Sequence, residues 1–126
     1  MGVRIRLYEE SDVDEMTAAA RESVPEVWPW MPWCHEGYSA SDAAAWIQAT
    51  RAGHATGAAY DFAIIDSSGR YAGGCGINQI NWAGVANLGY WVRSSAAGQG
   101  IAPAAVLQLV AWVFENTNLH HSPGLT

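Results

Sequence analysis

Gly98-Gln99-Gly100-Ile101-Ala102-Pro103 is the stretch of this sequence best suited to hold a reacting group. It follows the apolar run Leu88-Gly89-Tyr90-Trp91-Val92 and leads into an apolar-periodic segment from Ala104 to Phe114, so it reads as strand, tight turn and helix start. The first N–H groups of a helix have no carbonyl partner, and the aligned peptide dipoles leave partial positive charge there, which favours a phosphate. Gly98 and Gly100 carry no Cβ, so the backbone is free to take positive φ and turn its amides toward one group of oxygens. Pro103 agrees, because its missing N–H and fixed φ are tolerated only in a first helical turn, and the spacing predicts a helix beginning near Ile101. A dinucleotide fingerprint would need glycine or alanine where Pro103 stands, and a P-loop would need a lysine that this segment lacks. What remains is Gly100-x-Ala102 after a strand ending in Trp91-Val92-Arg93.

The second informative stretch is Trp28-Pro29-Trp30-Met31-Pro32-Trp33-Cys34-His35. Two prolines forbid regular helix or central strand, yet tryptophans occupy what would normally be a polar loop. Either they plug one end of the core or they line a substrate site. His35, Glu36 and Asp61 are the titratable residues that could serve as a base, though each reads first as a solvated loop or strand-edge residue. His120 and His121 are adjacent, point in different directions and have no carboxylate cluster beside them, so no metal site is assigned. Cys34 and Cys75 fall in different elements without a CxxC spacing and are expected to be reduced thiols.

Several elements must position these residues. Val3 to Leu7 alternates like a short edge strand. Ser11, followed by acidic residues and by Val13, Met16, Thr17 and Ala20 at helical spacing, predicts a helix to about Ser23. Ser41 and Asp42 predict the start of a second helix, with Ala45, Trp46 and Ala49 as its stripe, to about Arg51; His54 and Gly57 read as loop. Tyr60 to Ile65 reads as a strand, Asp66 to Gly69 as a hairpin loop and Tyr71 to Asn81 as the returning strand, with Gly73, Gly74 and Gly76 marking a bulge or close backbone approach. Trp82 to Gly84 is the next turn, and Val85 to Val92 completes an antiparallel meander. Leu107, Val110, Ala111 and Phe114 give the last helix one face for the sheet.

The bulk properties narrow the class. With 126 residues, one small domain is expected, and 50% hydrophobic residues indicate a globular chain. A net charge of −6 argues against nucleic acid as partner and suits an amine or a basic peptide. No signal-like or membrane-spanning apolar run is visible, so the cytoplasm is the expected location.

The chain resembles the GCN5-related N-acetyltransferases (GNAT), whose pyrophosphate loop reads Gln/Arg-x-x-Gly-x-Gly/Ala. Its positions fall on Ala97, Gly100 and Ala102, and Ala97 departs from the pattern by losing a side-chain contact. The element order matches that family through its third helix, and the tryptophan-proline segment is similar to its RimJ/RimL-like branch, where such a loop faces the acceptor amine. The resemblance implies an α+β fold: a mostly antiparallel sheet of about four strands with about three helices, in a single domain over residues 1–126. The family continues into a fifth strand, whereas here Ser122-Pro123-Gly124-Leu125-Thr126 follows, so the domain is expected to be C-terminally incomplete.

The implied activity is transfer of an acetyl group from acetyl-CoA, as co-substrate, to a primary amine, foremost a protein N-terminal α-amine; the acidity of the chain suits a basic N-terminus as that acceptor. By the same resemblance the backbone of Tyr90, Trp91, Val92 and Arg93 pairs with the pantetheine arm. Gly98, Gln99, Gly100, Ile101 and Ala102 hold the pyrophosphate, and Trp30 and Trp33 face the acceptor. Relatives often carry glutamate two residues before the Gly-Tyr pair of the fourth strand. Asn87 stands there, unable to take a proton at neutral pH but able to orient a water. Three readings stay open: the enzyme; a shortened, non-catalytic relative that binds acyl-CoA or forms a homodimer through the open edge of the fourth strand; and a truncated or frameshifted product.

Overall fold

The computed structural model describes residues 2–27, 37–57, 59–78, 87–96 and 98–116. Its elements are β1 (Arg4–Leu7), α1 (Val13–Val27), α2 (Ala40–Thr56), β2 (Tyr60–Ile65), β3 (Tyr71–Asn78), β4 (Asn87–Val92) and α3 (Ile101–Asn116), with single 3-10 turns at Glu10–Asp12 and Ser94–Ala96. The four strands form one antiparallel sheet in the order β1-β2-β3-β4. The expected α+β architecture is therefore present, with three helices and four strands among the described residues.

Side-chain alternation along the strands divides the core in two. One face packs Tyr8, Ala63, Ile65, Tyr71 and Trp91 against Met16, Ala19 and Ala20 of α1 and Ala43 and Ile47 of α2. The other packs Phe62, Ile64, Cys75 and Ile77 against Ile101, Ala105, Leu109 and Val113 of α3. Each fully buried large aliphatic side chain contributes about 1.5–3 kcal/mol, so these two layers hold the sheet between the helices. The α3 stripe differs from the expected one: Leu107 and Phe114 are exposed, and the buried face runs through Ala105, Leu109 and Val113 instead.

Local chemistry sets the boundaries. The helix α1 follows a 3-10 turn rather than starting at Ser11, because the Asp12 carboxylate accepts from the Glu9 N–H at 2.7 Å and from both terminal nitrogens of Arg6, at 2.9 and 2.7 Å. It also runs past Ser23 to Val27, carrying Pro25 in its last turn. The cap of α2 is Ser39 rather than Ser41: the Ser39 hydroxyl accepts from the Asp42 N–H while the Asp42 carboxylate accepts from the Ser39 N–H, a reciprocal capping box. The same helix continues through His54 to a left-handed Gly57, φ 76°, which is why the loop expected there is helical. In the β2–β3 turn, the Asp66 carboxylate accepts from the N–H groups of Ser68 and Arg70.

At the outer edge of β1 the Gln108 side chain of α3 accepts from the Ile5 N–H at 3.1 Å and donates to the Val3 carbonyl. One carboxamide thus occupies an edge that would otherwise present unpaired backbone. The bulge expected around Gly73 is present: Ile64 pairs with Gly73 and Ile65 with Tyr71, so Ala72 is the extra residue. The remainder of the expected third strand and the turn at Trp82 to Gly84 lie outside the described residues.

Candidate active site

The segment leaving β4 is anchored to α1 before it reaches the glycine loop. The Arg93 N–H donates to the Ala72 carbonyl at 2.8 Å, carrying the ladder one residue past the strand. Its guanidinium is buried, donating to Glu22 Oε1 at 2.7 Å and to the Tyr71 carbonyl at 3.0 Å. The second Glu22 oxygen accepts from the Ser95 N–H at 2.8 Å, and the neighbouring Ser23 hydroxyl accepts from the Ser94 N–H at 3.0 Å. Hydrogen bonding from Arg93 first, and from Ser95 next, holds the Glu22 carboxyl down at about 2.

Beyond this clamp Gly98 and Gly100 have φ values of 79° and 72°, and α3 starts at Ile101. Positive φ at both positions is the conformation expected of an anion-cradling turn. The Ala104 N–H closes onto the Gly100 carbonyl at 3.4 Å, and Pro103 sits in the first turn, where no N–H is needed. The N–H groups of Ile101 and Ala102 lie at helix positions that have no intrahelical acceptor. Gln99 is exposed and its carboxamide donates to the Ser95 carbonyl at 3.4 Å.

The pairing register also says which parts of β4 face outward. Arg93 and Ala72 are a hydrogen-bonded pair, and in an antiparallel ladder such pairs alternate, so Trp91, Gly89 and Asn87 direct their backbone groups to β3. Leu88, Tyr90 and Val92 direct theirs to the far side, where no described strand lies. Of the four residues expected to pair with a pantetheine arm, Tyr90 and Val92 are therefore the two whose amides and carbonyls face that edge. Trp91 instead turns its ring into the core beside Tyr71, and Arg93 turns its guanidinium toward α1.

On the α1/α2 face of the sheet lies a cleft of about 740 Å³. Tyr8, Tyr38, Asp42, Trp46 and Ala49 form its helical side, while Asp61, Gly74, Cys75, Gly76, Gly89, Tyr90 and Trp91 form its sheet side. The cleft thus reaches the same β4 edge that leads into the glycine loop. Tyr8 and Tyr71 share a hydroxyl–hydroxyl hydrogen bond of 2.7 Å, and burial raises both phenols above their ordinary values. Burial alone lifts the Asp61 carboxyl to about 6.

Asn87 opens β4, opposite Asn78. Trp30, Trp33, His35, Glu36, Ala97, His120 and His121 lie outside the described residues. Among those described, no three His, Cys, Asp or Glu side chains converge as a metal site, and no helix is long and apolar enough to cross a membrane. Sequence reasoning missed Glu22 and Ser23, which carry no local signal of contact with residues 71 positions away. It also missed the cleft's roles for Tyr8 and Tyr38. The Ser39-x-x-Asp42 pattern was a readable sign that α2 starts two residues earlier.

A family model for the acetyltransferase (GNAT) domain matches residues 3–123, nearly the whole chain, and the chain belongs to that family. Among solved structures it is similar to a Vibrio cholerae protein assigned as a ribosomal-protein-serine acetyltransferase, with 26% identity, TM-score 0.76, and coverage of 91% of this chain and 64% of that one. It is also similar to RimL, a ribosomal L7/L12 alpha-N-protein acetyltransferase in complex with coenzyme A, with 21% identity, TM-score 0.86, and coverage of 94% and 67%. A third likeness is to the ribosomal-protein-S5-alanine acetyltransferase of Vibrio fischeri, with 20% identity, TM-score 0.82, and coverage of 95% and 68%. The chain thus spans about two thirds of the length of these proteins. No curated protein matched the sequence.

Proposed function

We propose that the protein is an acetyl-CoA-dependent N-acetyltransferase acting in the cytoplasm on a primary amine, foremost a protein N-terminal α-amine. Family membership supports the reaction class. The observation that carries the reading is one of continuity: the outward backbone of Tyr90 and Val92 runs into the positive-φ turn of Gly98 and Gly100, and the α1/α2 cleft opens on the same edge.

The residues fit the donor without a cationic side chain. Backbone groups of Tyr90 and Val92 would hold the amides of a pantetheine arm as an added strand does, and the Gly98–Ala102 turn would hold the pyrophosphate. Acetyl-CoA supplies an activated acetyl thioester. The chain's own contribution is to orient the amine against that group and exclude bulk water, which is worth several orders of magnitude in rate. Asn87 would orient the water that takes the amine's proton, and Trp30 and Trp33 would border the acceptor.

The test is calorimetric titration with acetyl-CoA, followed by mass spectrometry of amine-terminated peptides incubated with both. Binding and a mass gain of one acetyl group are expected. A folded protein that takes up no acetyl-CoA at millimolar concentration would falsify this reading. The outward-facing edge of β4 also favours a second reading, in which two copies pair edge to edge as a homodimer without catalysis. Light scattering decides it: a monomer at all concentrations removes that alternative.

A further inference from the structure

The sheet face toward α1 and α2 carries an unfilled row. Asp61, Gly76 and Gly89 stand directly opposite one another on β2, β3 and β4, so all three project to the same face. Two of the three have no side chain. At the position a Gly76 Cβ would occupy, the nearest atom is an Asp61 carboxylate oxygen, so this carboxylate leans across Gly76 toward β4. Above Gly89 there is open space among the described residues. A trough therefore runs from the Asp61 carboxylate, seated over Gly76, across Gly89 to the outer edge of the sheet, with Trp46 and Ala49 of α2 on its helical side. A group held alongside β4 as an added strand would lie about 10 Å from that carboxylate, two interstrand spacings.

The inner end of this trough is electrostatically unbalanced. The Asp61 carboxylate has no hydrogen-bond or ion-pair partner among the described residues, and its half-burial leaves it poorly hydrated. The cleft's other charged side chain is again a carboxylate, Asp42, engaged in the α2 capping box, and no described basic side chain lines the cleft. The Tyr8 phenol, on the same sheet face, and the Cys75 thiol, on the opposite face, are both pushed up by burial, with the Asp61 charge adding to each, the thiol to about 12. Both are neutral at pH 7, whereas Asp61 at about 6 is mostly ionised. A half-buried anion without a counter-ion, beside the aromatic rings of Tyr8 and Trp46, suits an ammonium group.

We propose that Asp61 anchors a second cationic group of the acceptor, so that the preferred substrates carry two positive charges about 10 Å apart, as a diamine does, or a peptide with lysine close behind its amino terminus. This rests on the reading that the acceptor lies in the cleft and meets its acetyl donor at the β4 edge. The distance decides the role: a carboxylate seated over β3, two interstrand spacings from a donor held alongside β4, is too far to take the reacting proton directly, since general-base contact needs about 3 Å. It is well placed to fix the far end of the molecule, which makes Asp61 a specificity residue.

Binding of 1,6-diaminohexane and of hexylamine to the full chain tests this, followed by NMR of the Asp61 carboxyl carbon and of the Gly76 and Gly89 amides. The diamine is expected to bind about tenfold more tightly than the monoamine, the scale of one charge-assisted hydrogen bond, and to move all three signals. Asp61→Asn should bring the two amines to equal affinity. So should Gly89→Val, whose side chain enters the trough and closes it without meeting a described neighbour. The diamine preference should also fade below pH 6 as Asp61 protonates. Equal binding of both amines to the unmodified protein, or a preference that survives Asp61→Asn, overturns the proposal. A diamine preference in a protein that binds no acetyl-CoA would uphold the cation site while removing the acetyltransferase reading.

Discussion

Replacing Glu22 with glutamine tests whether α1 holds the entry to the glycine loop. In the native protein the Glu22 carboxyl is lowered from 4.5 to about 2, chiefly by Arg93, a difference worth about 3 kcal/mol at 1.36 kcal/mol per pH unit. The Glu22 side chain is 29% exposed, so solvent screening reduces its own share to about 1–2 kcal/mol. Arg93 is only 5% exposed, and stripping a buried cation of its partner costs more, up to about 3–5 kcal/mol. Because glutamine still offers Arg93 a carbonyl oxygen, the expected net loss is about 2–3 kcal/mol at pH 7.

The sign follows from the lowered carboxyl. A depressed acid contributes stability that is fully present above 4.5 and is lost as pH falls toward 2, so the deficit of the variant should be largest at pH 7 and shrink through that window. Urea denaturation at pH 7 and at pH 3 measures both. The Glu22→Gln/Arg93→Met double variant should recover much of the loss, since it removes the uncompensated charge. Acetyl-CoA affinity should fall in the single variant, because the Ser95 amide would lose a charged acceptor on the path to Gly98. An unchanged stability at pH 7, or a deficit independent of pH, would refute the clamp.

The Asp61→Asn variant should shift stability the opposite way. A carboxyl raised by burial from 3.8 to about 6, in a cleft it shares with Tyr8 and Asp42, makes the native fold less stable as pH rises between those values, so the variant should gain about 1–2 kcal/mol above pH 6 and match the native protein near pH 3. Gly74→Ala would put a Cβ 2.6 Å from the Tyr8 hydroxyl and 3.0 Å from Trp91 Nε1, and a loss of about 1–3 kcal/mol by thermal melting is expected. For Ser39→Ala the loss of the α2 cap should cost about 1 kcal/mol in the same assay, and a loss below a few tenths would show the cap to be dispensable.

Much of this was legible in the linear chain because it is local. The positive-φ glycines, the start of α3 at Ile101, the bulge near Gly73 and the short edge strand β1 all follow from residue types acting on their own backbone. Boundaries differ from those the propensities predict where a side chain reaches a few residues along the chain. Asp12 binding Arg6 and Glu9 delayed α1, and the Ser39–Asp42 box advanced α2. The apolar stripe of α3 was misread because most of that helix is apolar, so composition alone did not select a face.

By itself, then, the sequence determined the order of the elements, the family and the positive-φ conformation of the glycine turn, since each depends on short-range steric and hydrogen-bonding rules. Only the tertiary structure decided how that turn is held and what lies beside it. Arg93 reads only as the end of the fourth strand until α1 brings Glu22 to its guanidinium, and Asp61 reads as a strand-edge acid until pairing lays it across Gly76. Strand register and helix packing place residues from distant parts of the chain within a few ångströms, and it is their mutual desolvation and charge that set what each one does.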